Sequence, residues 1–215
     1  IVLAYLWGAL PTAYLLVRWR RGIDIRRYGT GNVGASNAMM HLGKRVGLAL
    51  GLFDGLVKGT LPVILAKLFG LSTGVQIGVA LAAVSGHNWS PFLGFTGGRG
   101  VATALGSYVG FGLWQQLMAG ILIVGLLGWV ILRNLSLWML IGMAFMVLLA
   151  YLLGQSNEIV YLLLGLVGLV VAKRLTANWG FSLTGQPLWR VLLYRLLYDR
   201  DVASRSEWIR RYPEE

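Results

Sequence analysis

The chain has 215 residues, of which 57% are hydrophobic and only 13% charged, and its mean hydropathy is +0.68. So little charge cannot cover the surface of a water-soluble domain, and the composition therefore predicts an integral membrane protein. The absence of cysteine excludes disulfides, thiolate nucleophiles and sulfur-ligated metals, and two histidines are too few for a histidine-rich metal site. We expect neither a metal nor an organic cofactor.

Seven apolar runs, separated by short polar breaks, predict an all-α bundle of about seven transmembrane helices. Several runs are shorter than the roughly 20 residues that an isolated helix needs to span the hydrocarbon, which favours tilted or short helices in one compact bundle. No small-residue cleavage site follows the first run, so we interpret it as a span and not as a signal peptide. The runs cover residues 1–17, 46–69, 74–84, 101–113, 118–132, 135–153 and 159–172.

The net charge of +11 suggests a nucleic acid partner at first sight, but its distribution indicates membrane topology instead. In a seven-span bundle, every Lys and Arg residue except Lys58 and Lys67 falls on one side. The positive-inside rule then predicts a multi-pass protein of the cell membrane with its N-terminus outside. The unusual polar loops share the basic side, so we expect the active site on the cytoplasmic face and no nucleic acid partner.

The end of the chain differs from the rest, which predicts a membrane domain over residues 1–185 and a cytoplasmic tail over residues 186–215. An apolar stripe with basic residues beside it is typical of an amphipathic helix that lies in the membrane interface against anionic lipid. The stripe contains Trp189, Leu192, Leu193, Leu196 and Leu197, and the residues off it are Arg190, Arg195 and Arg200.

Two glycine-rich stretches occur on the basic side. The first glycine segment is GTGNVGASN (residues 29–37), and the second is GFTGGRGVATALG (residues 94–106), which contains Arg99 and leads into a predicted helix. Glycines let several backbone N–H groups point into one cavity, and both helix N-termini and arginine bind anions well. One such segment would usually be an ordinary turn, but two with cations on the same face predict a phosphate site. Neither matches the Walker pattern, so a nucleotide is not expected.

Three ionisable residues fall within or beside the apolar runs. Asp54 and Lys58 are four residues apart on one helical face and can pair, either as a structural ion pair or as part of the chemistry. His87, at the end of the third run, is equally well a general base or an interfacial hydrogen-bonding residue.

Four stretches occur in order along the chain: GALPTAYLLVR, GIDIRRYGTGNVGASN, FDGLVKGTLPV and SGHNWSPFLGFTGGRGVATALG. Together they resemble the bacterial acyl-phosphate:glycerol-3-phosphate acyltransferases of the PlsY type. The resemblance is close over residues 8 to about 110 and holds elsewhere by layout. It implies a seven-helix membrane enzyme that transfers a fatty acyl group from acyl phosphate to the 1-hydroxyl of glycerol 3-phosphate, giving lysophosphatidic acid and phosphate.

The resemblance also implies roles for individual residues. The first glycine segment would wrap the phosphate of acyl phosphate, GGRG would supply a cation to it, and RNLS (133–136) and KRLTANW (173–179) would hold glycerol 3-phosphate. Within the first segment, we expect Gly34 to need either a backbone conformation or a close approach to phosphate that a Cβ would block. The catalytic candidates are Thr30, Ser36, His87 and Arg99. The substrate-binding candidates are Gly31, Asn32, Gly34, Asn37, Arg45, Gly97, Gly98, Ser136, Arg174 and Asn178.

Four positions depart from the family pattern and leave two functions open. Met40, Thr96, Leu175 and Phe181 stand where arginine, lysine, histidine and arginine are usual, and His41 or Arg45 is a candidate replacement cation. The first function is acyl transfer by direct attack of the substrate hydroxyl, without a covalent acyl-enzyme, and with membrane lipid and the two substrates as partners. The second is a non-catalytic paralogue that binds or conducts a phosphorylated lipid or small anion. The sequence identifies no protein partner.

Overall fold

The structure is a computed structural model that describes residues 1–131, 134–178 and 185–210. Within these ranges the chain is helical, apart from turns and one isolated antiparallel bridge between Ser90 and Thr96, which confirms the predicted all-α class. The helices are α1 (Val2–Gly8), α2 (Thr12–Arg21), α3 (Ala35–Leu42), α4 (Lys44–Leu52), α5 (Leu61–Leu68), α6 (Thr73–Asn88), α7 (Val101–Phe111), α8 (Trp114–Leu122), α9 (Leu135–Leu152), α10 (Asn157–Thr176), α11 (Leu188–Tyr198) and α12 (Arg205–Arg210).

Three of the described helices are long and apolar enough to cross a membrane. One of them, Lys44–Leu68, consists of α4 and α5 joined through a π-helical stretch, Phe53–Thr60. The other two are α9 and α10, and shorter apolar helices occupy the fourth and fifth predicted runs. The apolar helices therefore fit an integral membrane protein, and the number of seven spans stays a prediction.

The first predicted span is not one helix, because the chain breaks at residues 9–11 between α1 and α2. Pro11 has no N–H to continue the helical hydrogen-bond ladder. Two side chains from later in the sequence bind the carbonyls at this break: Ser90 Oγ donates to Ala9 O at 2.7 Å, and Lys58 Nζ donates to Leu10 O at 2.7 Å. Irregular backbone is tolerated inside a membrane protein only where other protein groups satisfy it in this way.

The buried Lys58 side chain connects the break to the next span. Its Nζ lies 2.7 Å from Asp54 Oδ1 and donates to Thr12 Oγ1 at 3.0 Å, while both charged residues are only 2% exposed. This confirms the predicted pairing of Asp54 with Lys58. Because a buried charge without a partner is costly, the pair holds the start of α2 against the π-helical stretch.

Glycines bring α7 unusually close to the same π-helical stretch. A Cβ at Gly59 would collide with the carbonyl of Thr103, and a Cβ at Gly106 would collide with the carbonyl of Gly55. Thr60 Oγ1 uses this proximity to donate to Gly106 O at 2.7 Å. Small residues at helix contacts are a general means of packing helices in membranes. The contact fixes α7, and with it the second glycine segment that precedes this helix.

The predicted tail contains a helix, α11, and its amphipathic role in the membrane interface stays a prediction. Arg195, which we placed among the residues off the apolar stripe, is completely buried. Its guanidinium forms a two-point ion pair with Asp201 at 2.6 and 3.0 Å and donates to Leu175 O, at the end of α10, at 2.8 Å. These two partners offset the cost of removing the charge from water. The tail therefore packs on the helical bundle, and its contact with lipid stays a prediction.

We expect Lys58→Met to destabilise the fold strongly. The substitution leaves Asp54 buried without its cation and removes the donor to the Leu10 carbonyl. Breaking a buried pair in this way costs about 3 kcal/mol or more, so the midpoint of thermal unfolding in detergent should fall clearly. Lys44→Met, at an exposed position of α4, is the matched control and should leave the midpoint unchanged. Equal midpoints for the two variants would show that the pair does not hold the break.

Candidate functional site

The two glycine segments lie against each other although they are far apart in sequence. Val33 N donates to Gly97 O at 3.2 Å, and a Cβ built on Gly34 would lie 3.9 Å from Gly98 Cα. We call this place the glycine junction. The first segment leads into α3 and the second into α7, and neither helix start is capped by a side-chain hydrogen bond. Uncapped helix starts carry N–H groups and a partial positive charge, which together favour an anion.

Asn178, beyond the end of α10, holds the two segments together. Its Nδ2 donates to Gly31 O at 3.0 Å and to Gly97 O at 2.7 Å. Its Oδ1 accepts from Gly97 N at 3.2 Å and from Lys173 Nζ at 2.7 Å. An amide side chain has two N–H donors and two acceptor positions, so Asn178 is fully used by the protein. It therefore positions the junction, and is not left free to bind a ligand directly.

Asn37 shapes the first glycine segment from inside. Its Nδ2 lies within hydrogen-bond distance of the carbonyls of Ile25, Tyr28 and Asn32, at 3.0 to 3.1 Å, and its Oδ1 accepts from Thr30 N at 3.2 Å. The residue is completely buried. Like Asn178, it thus makes contacts expected of a positioning residue.

Three other polar side chains of the first segment have spare hydrogen-bonding capacity. Asn32 is 5% exposed, and within the described residues its Oδ1 has no partner. Thr30 is half-buried, with its Oγ1 accepting from Asn32 N at 3.4 Å, and Ser36 is exposed in the first turn of α3. A buried acceptor without a partner marks a place for a hydroxyl or a water molecule, because leaving it unpaired is costly.

An ion pair just before the first segment ties its approach to that of the second. Arg26 Nη2 lies 2.6 Å from Asp24 Oδ2, and Arg26 Nη1 donates to Leu93 O at 3.2 Å. The hydrogen-bonded Arg26 side chain holds the pKa of the Asp24 carboxyl below its usual range. These contacts fix the backbone on both sides of the junction.

Arg99 and Lys173 are the cations at the junction. Arg99 Nη1 donates to Lys173 O at 3.0 Å, and Arg99 Nε lies 2.8 Å from the carboxylate oxygen Oδ1 of Asp199. Lys173 is completely buried, with its Nζ on Asn178 and 5.5 Å from the ring centre of Trp89. Sequence reasoning assigned Lys173 to the segment that would hold glycerol 3-phosphate but not to the glycine segments, and it missed Asp199, because no local pattern links either residue to the glycine segments.

Arg174 and Ser136, both predicted to hold glycerol 3-phosphate, are in contact. Arg174 Nη2 donates to Ser136 O at 2.7 Å, and Nη1 donates to Leu196 O at 2.9 Å. Arg174 is 3% exposed, and the Ser136 hydroxyl is buried without a partner among the described residues. Arg133, from the same predicted loop, lies outside the described residues.

His87 lies beside the junction, between it and the buried ion pair. Its Nε2 packs so closely on Gly98 that a Cβ there would collide with it, and its Nδ1 is 3.8 Å from Asp54 Oδ1. With Lys58 and Gly97 among its neighbours, His87 lines a cavity of about 10 Å³. Such a volume holds roughly one water molecule. His87 therefore lies directly beside the glycine junction, and its role as a general base stays a prediction.

Arg45 and those described residues that differ from the family pattern do not take part in the contacts of the glycine junction. Arg45 is exposed at the start of α4, where its side chain makes no hydrogen bond or ion pair with the described residues, and Met40 is 44% exposed on α3. Thr96 Oγ1 donates to Leu93 O at 2.8 Å, and the Leu175 carbonyl accepts from Arg195. Phe181 lies outside the described residues.

The special backbone conformation expected at Gly34 is wrong, because its φ of −147° is extended backbone that any residue adopts. The close approach of the Gly34 backbone to phosphate stays a prediction. Gly31 has the left-handed conformation instead, with φ +72°. Gly31→Ala should therefore strain the loop by about 1–2 kcal/mol and lower the unfolding midpoint, whereas Gly34→Ala should leave it close to the parent. Thermal unfolding of both purified variants checks this; a larger drop for Gly34→Ala would contradict the loop geometry.

Comparisons with known proteins identify the family of this chain. The sequence model of the family described as glycerol-3-phosphate acyltransferase matches residues 1–182. A relative from Dehalococcoides mccartyi named glycerol-3-phosphate acyltransferase 5 is 39% identical, over 98% of this chain and 91% of its own length. A second relative from another strain of that species, named glycerol-3-phosphate acyltransferase 4, is 40% identical over 96% of this chain and 90% of its own length.

The fold is similar to the crystal structure of PlsY, an integral membrane glycerol 3-phosphate acyltransferase, in its glycerol 3-phosphate form. The TM-score is 0.72 at 30% identity, covering 80% of this chain and 85% of that one. The lysophosphatidic acid form of PlsY gives a TM-score of 0.69. On this combined match of sequence and fold, the chain belongs to the glycerol-3-phosphate acyltransferase family.

Proposed function

We propose that the chain transfers a fatty acyl group from acyl phosphate to the 1-hydroxyl of glycerol 3-phosphate, giving lysophosphatidic acid and phosphate. The glycine junction carries the proposal, because it joins two uncapped helix starts and Arg99 at one place. Membership of the family supports it, as do the forms in which PlsY was crystallised, with glycerol 3-phosphate and with lysophosphatidic acid.

We place the phosphate of acyl phosphate at the glycine junction. The N–H groups that begin α3 and α7 and the Arg99 guanidinium would balance its charge, while the Thr30 and Ser36 hydroxyls would donate to its oxygens. Asn32 would bind a hydroxyl through its unpaired Oδ1. Asn37 and Asn178 act as positioning residues, since their amides are bonded to backbone.

We place the phosphate of glycerol 3-phosphate next to Arg174 and the unpartnered hydroxyl of Ser136. Arg99 donates to the carbonyl of Lys173, the residue before Arg174, so the two anion positions are close to each other. Two phosphates held together bring the acceptor hydroxyl towards the acyl carbonyl, and such positioning lowers the barrier by removing the entropy cost of encounter.

In the proposed reaction, the 1-hydroxyl oxygen attacks the acyl carbonyl carbon. The bond between that carbon and the phosphate oxygen breaks, and the phosphate leaves with the bonding electron pair. The hydroxyl proton passes to a phosphate oxygen or to His87 Nε2, the nitrogen that lies against Gly98. Acyl phosphate is already activated, so charge stabilisation of the leaving phosphate can supply much of the rate, and no covalent acyl-enzyme is needed.

Acyl transfer by the purified protein from palmitoyl phosphate to labelled glycerol 3-phosphate tests the proposal. Arg99→Ala should cost about 2–4 kcal/mol of transition-state stabilisation, or roughly 30- to 1000-fold in kcat/KM. Arg99→Lys should be much milder because the charge remains. Arg27→Ala removes an exposed arginine near the first segment and is the matched control. Near-normal turnover in Arg99→Ala would show that Arg99 does not act in the site. If the parent protein binds phosphate but forms no product, it is a non-catalytic paralogue.

We also propose about seven spans, with the N-terminus outside and the glycine junction on the cytoplasmic face, supported by the distribution of Lys and Arg. These 215 residues contain no cysteine, so single introduced cysteines report cleanly on topology. Exposed positions Arg27, Phe95 and Trp189 should react with an impermeant thiol reagent only from the cytoplasmic side, and Ser156 only from outside. Labelling of positions 95 and 156 from the same side would end this topology.

A further inference from the structure

The C-terminal helix α11 leads to a carboxylate in the proposed phosphate site. Asp199 Oδ1 lies 2.8 Å from Arg99 Nε, and the charge of Asp199 also acts on Lys173 and Arg174. The side chains of the ion pair are only 12% (Arg99) and 22% (Asp199) exposed, so salt screens the attraction weakly. Residue 199 lies beyond residues 1–182, the range that the family's sequence model matches. This carboxylate therefore comes from outside the matched region.

The stability of α11 does not explain an aspartate at this position. Asp199 follows the last residue of the helix and has a left-handed φ of +57°, a conformation in which asparagine and aspartate are the common residues after glycine. Of these three residues only aspartate is charged, and a negative charge at a helix C-terminus opposes the helix dipole. The ion pair with Arg99, and not the helix, therefore favours a carboxylate over an amide at this place.

The contact between Asp199 and Arg99 is of a kind that another anion can replace. Arg99 Nε and Asp199 Oδ1 approach without the alignment of a hydrogen bond, so the attraction is one of charge alone. Arg195 and Asp201, in contrast, form a buried two-point pair with aligned hydrogen bonds. The first pair lies in the proposed phosphate site, whereas the second holds α11 in place.

The helix α11 can stay docked while Asp199 leaves Arg99. Arg195 donates to Leu175 O at 2.8 Å, and Arg174 donates to Leu196 O at 2.9 Å. These bonds connect α11 to α10 from both directions and do not involve Asp199. Release of Arg99 therefore requires rotation of the Asp199 side chain and not unfolding of the helix.

We propose that Asp199 is a built-in competitor of phosphate. Its carboxylate occupies the anion position of Arg99 when the site is empty, and the phosphate of a substrate displaces it. The identity of that anion rests on the proposed function. The Asp199 carboxylate weakens the binding of every phosphate-bearing ligand, including the inorganic phosphate product, and therefore hastens product release. Between turnovers it keeps the charge of Arg99 paired.

Asp199→Asn tests the proposal, because it keeps the shape of the side chain and removes its charge. Inorganic phosphate should bind roughly tenfold tighter to the purified variant in isothermal titration, since a charged competitor is replaced by a neutral amide. In the acyl-transfer assay, phosphate should inhibit more strongly by a similar factor, with a lower KM for the substrate. Glu207→Gln, at an exposed position in α12, makes the same change in net charge and should alter neither quantity.

The binding measurement distinguishes failure of the competitor from failure of the reaction. If the parent transfers acyl groups but the parent and Asp199→Asn bind phosphate with equal affinity, the competitor proposal alone is overturned. If Asp199→Asn binds phosphate more tightly but the parent does not transfer acyl groups, the competitor is supported and the proposed reaction is refuted. If neither protein binds phosphate, both proposals are overturned. Should Asp199→Asn lower the unfolding midpoint, Asp199→Gly, which also suits a left-handed position, replaces it with the same expected result.

Discussion

The hydrogen bonds of the Asn178 side chain determine the geometry on which the rest of the site depends. They connect Gly31 in the first glycine segment, Gly97 in the second and Lys173 within α10. Because all four hydrogen-bonding positions of the amide are used, the side chain has a single favourable orientation. The starts of α3 and α7 are thus held at one place, and a buried ammonium is held beside them. A small polar side chain gives this place the rigidity that a loop rich in glycine lacks by itself.

The side chains that bind the carbonyls at the break between α1 and α2 lie next to the glycine junction. Interrupting a helix in a membrane protein is costly unless its carbonyls find donors, and Lys58 and Ser90 supply them. Lys58 also requires Asp54, which in turn lies near His87. The cavity next to the break is lined by Val33 and Gly97 as well as by Lys58, His87 and Ser90. Buried polar groups therefore extend from the break in the first run to the glycine junction, and the carbonyls at the break are satisfied by Lys58 and Ser90.

The sequence predicted those features that depend on local composition. Long apolar runs became α9 and α10 with ends displaced by a few residues, because an unbroken apolar stretch in a bilayer has to be helical. The two glycine segments and Arg99 were also identified, because their glycine-rich composition is visible in the local sequence. The split before Thr12 was missed, because its donors lie far along the chain. The same holds for the amides: Asn178 bonds to a carbonyl 147 positions away, and no local pattern reveals such a partner. Asp199 was missed because the amphipathic pattern assigned its helix to lipid.

The sequence separation of the Asn178 contacts has a consequence for biosynthesis. The first glycine segment leaves the ribosome early, yet its connection to the second segment through Asn178 requires a residue near the end of α10. Chains of this size enter the membrane progressively during translation, and their distant contacts form last. A nascent chain that has inserted its first spans therefore carries both glycine segments without the side chain that joins them. The Asn178-bonded geometry of the glycine junction is consequently acquired only when the last apolar helix has been inserted, and a translation product truncated before Asn178 would lack it.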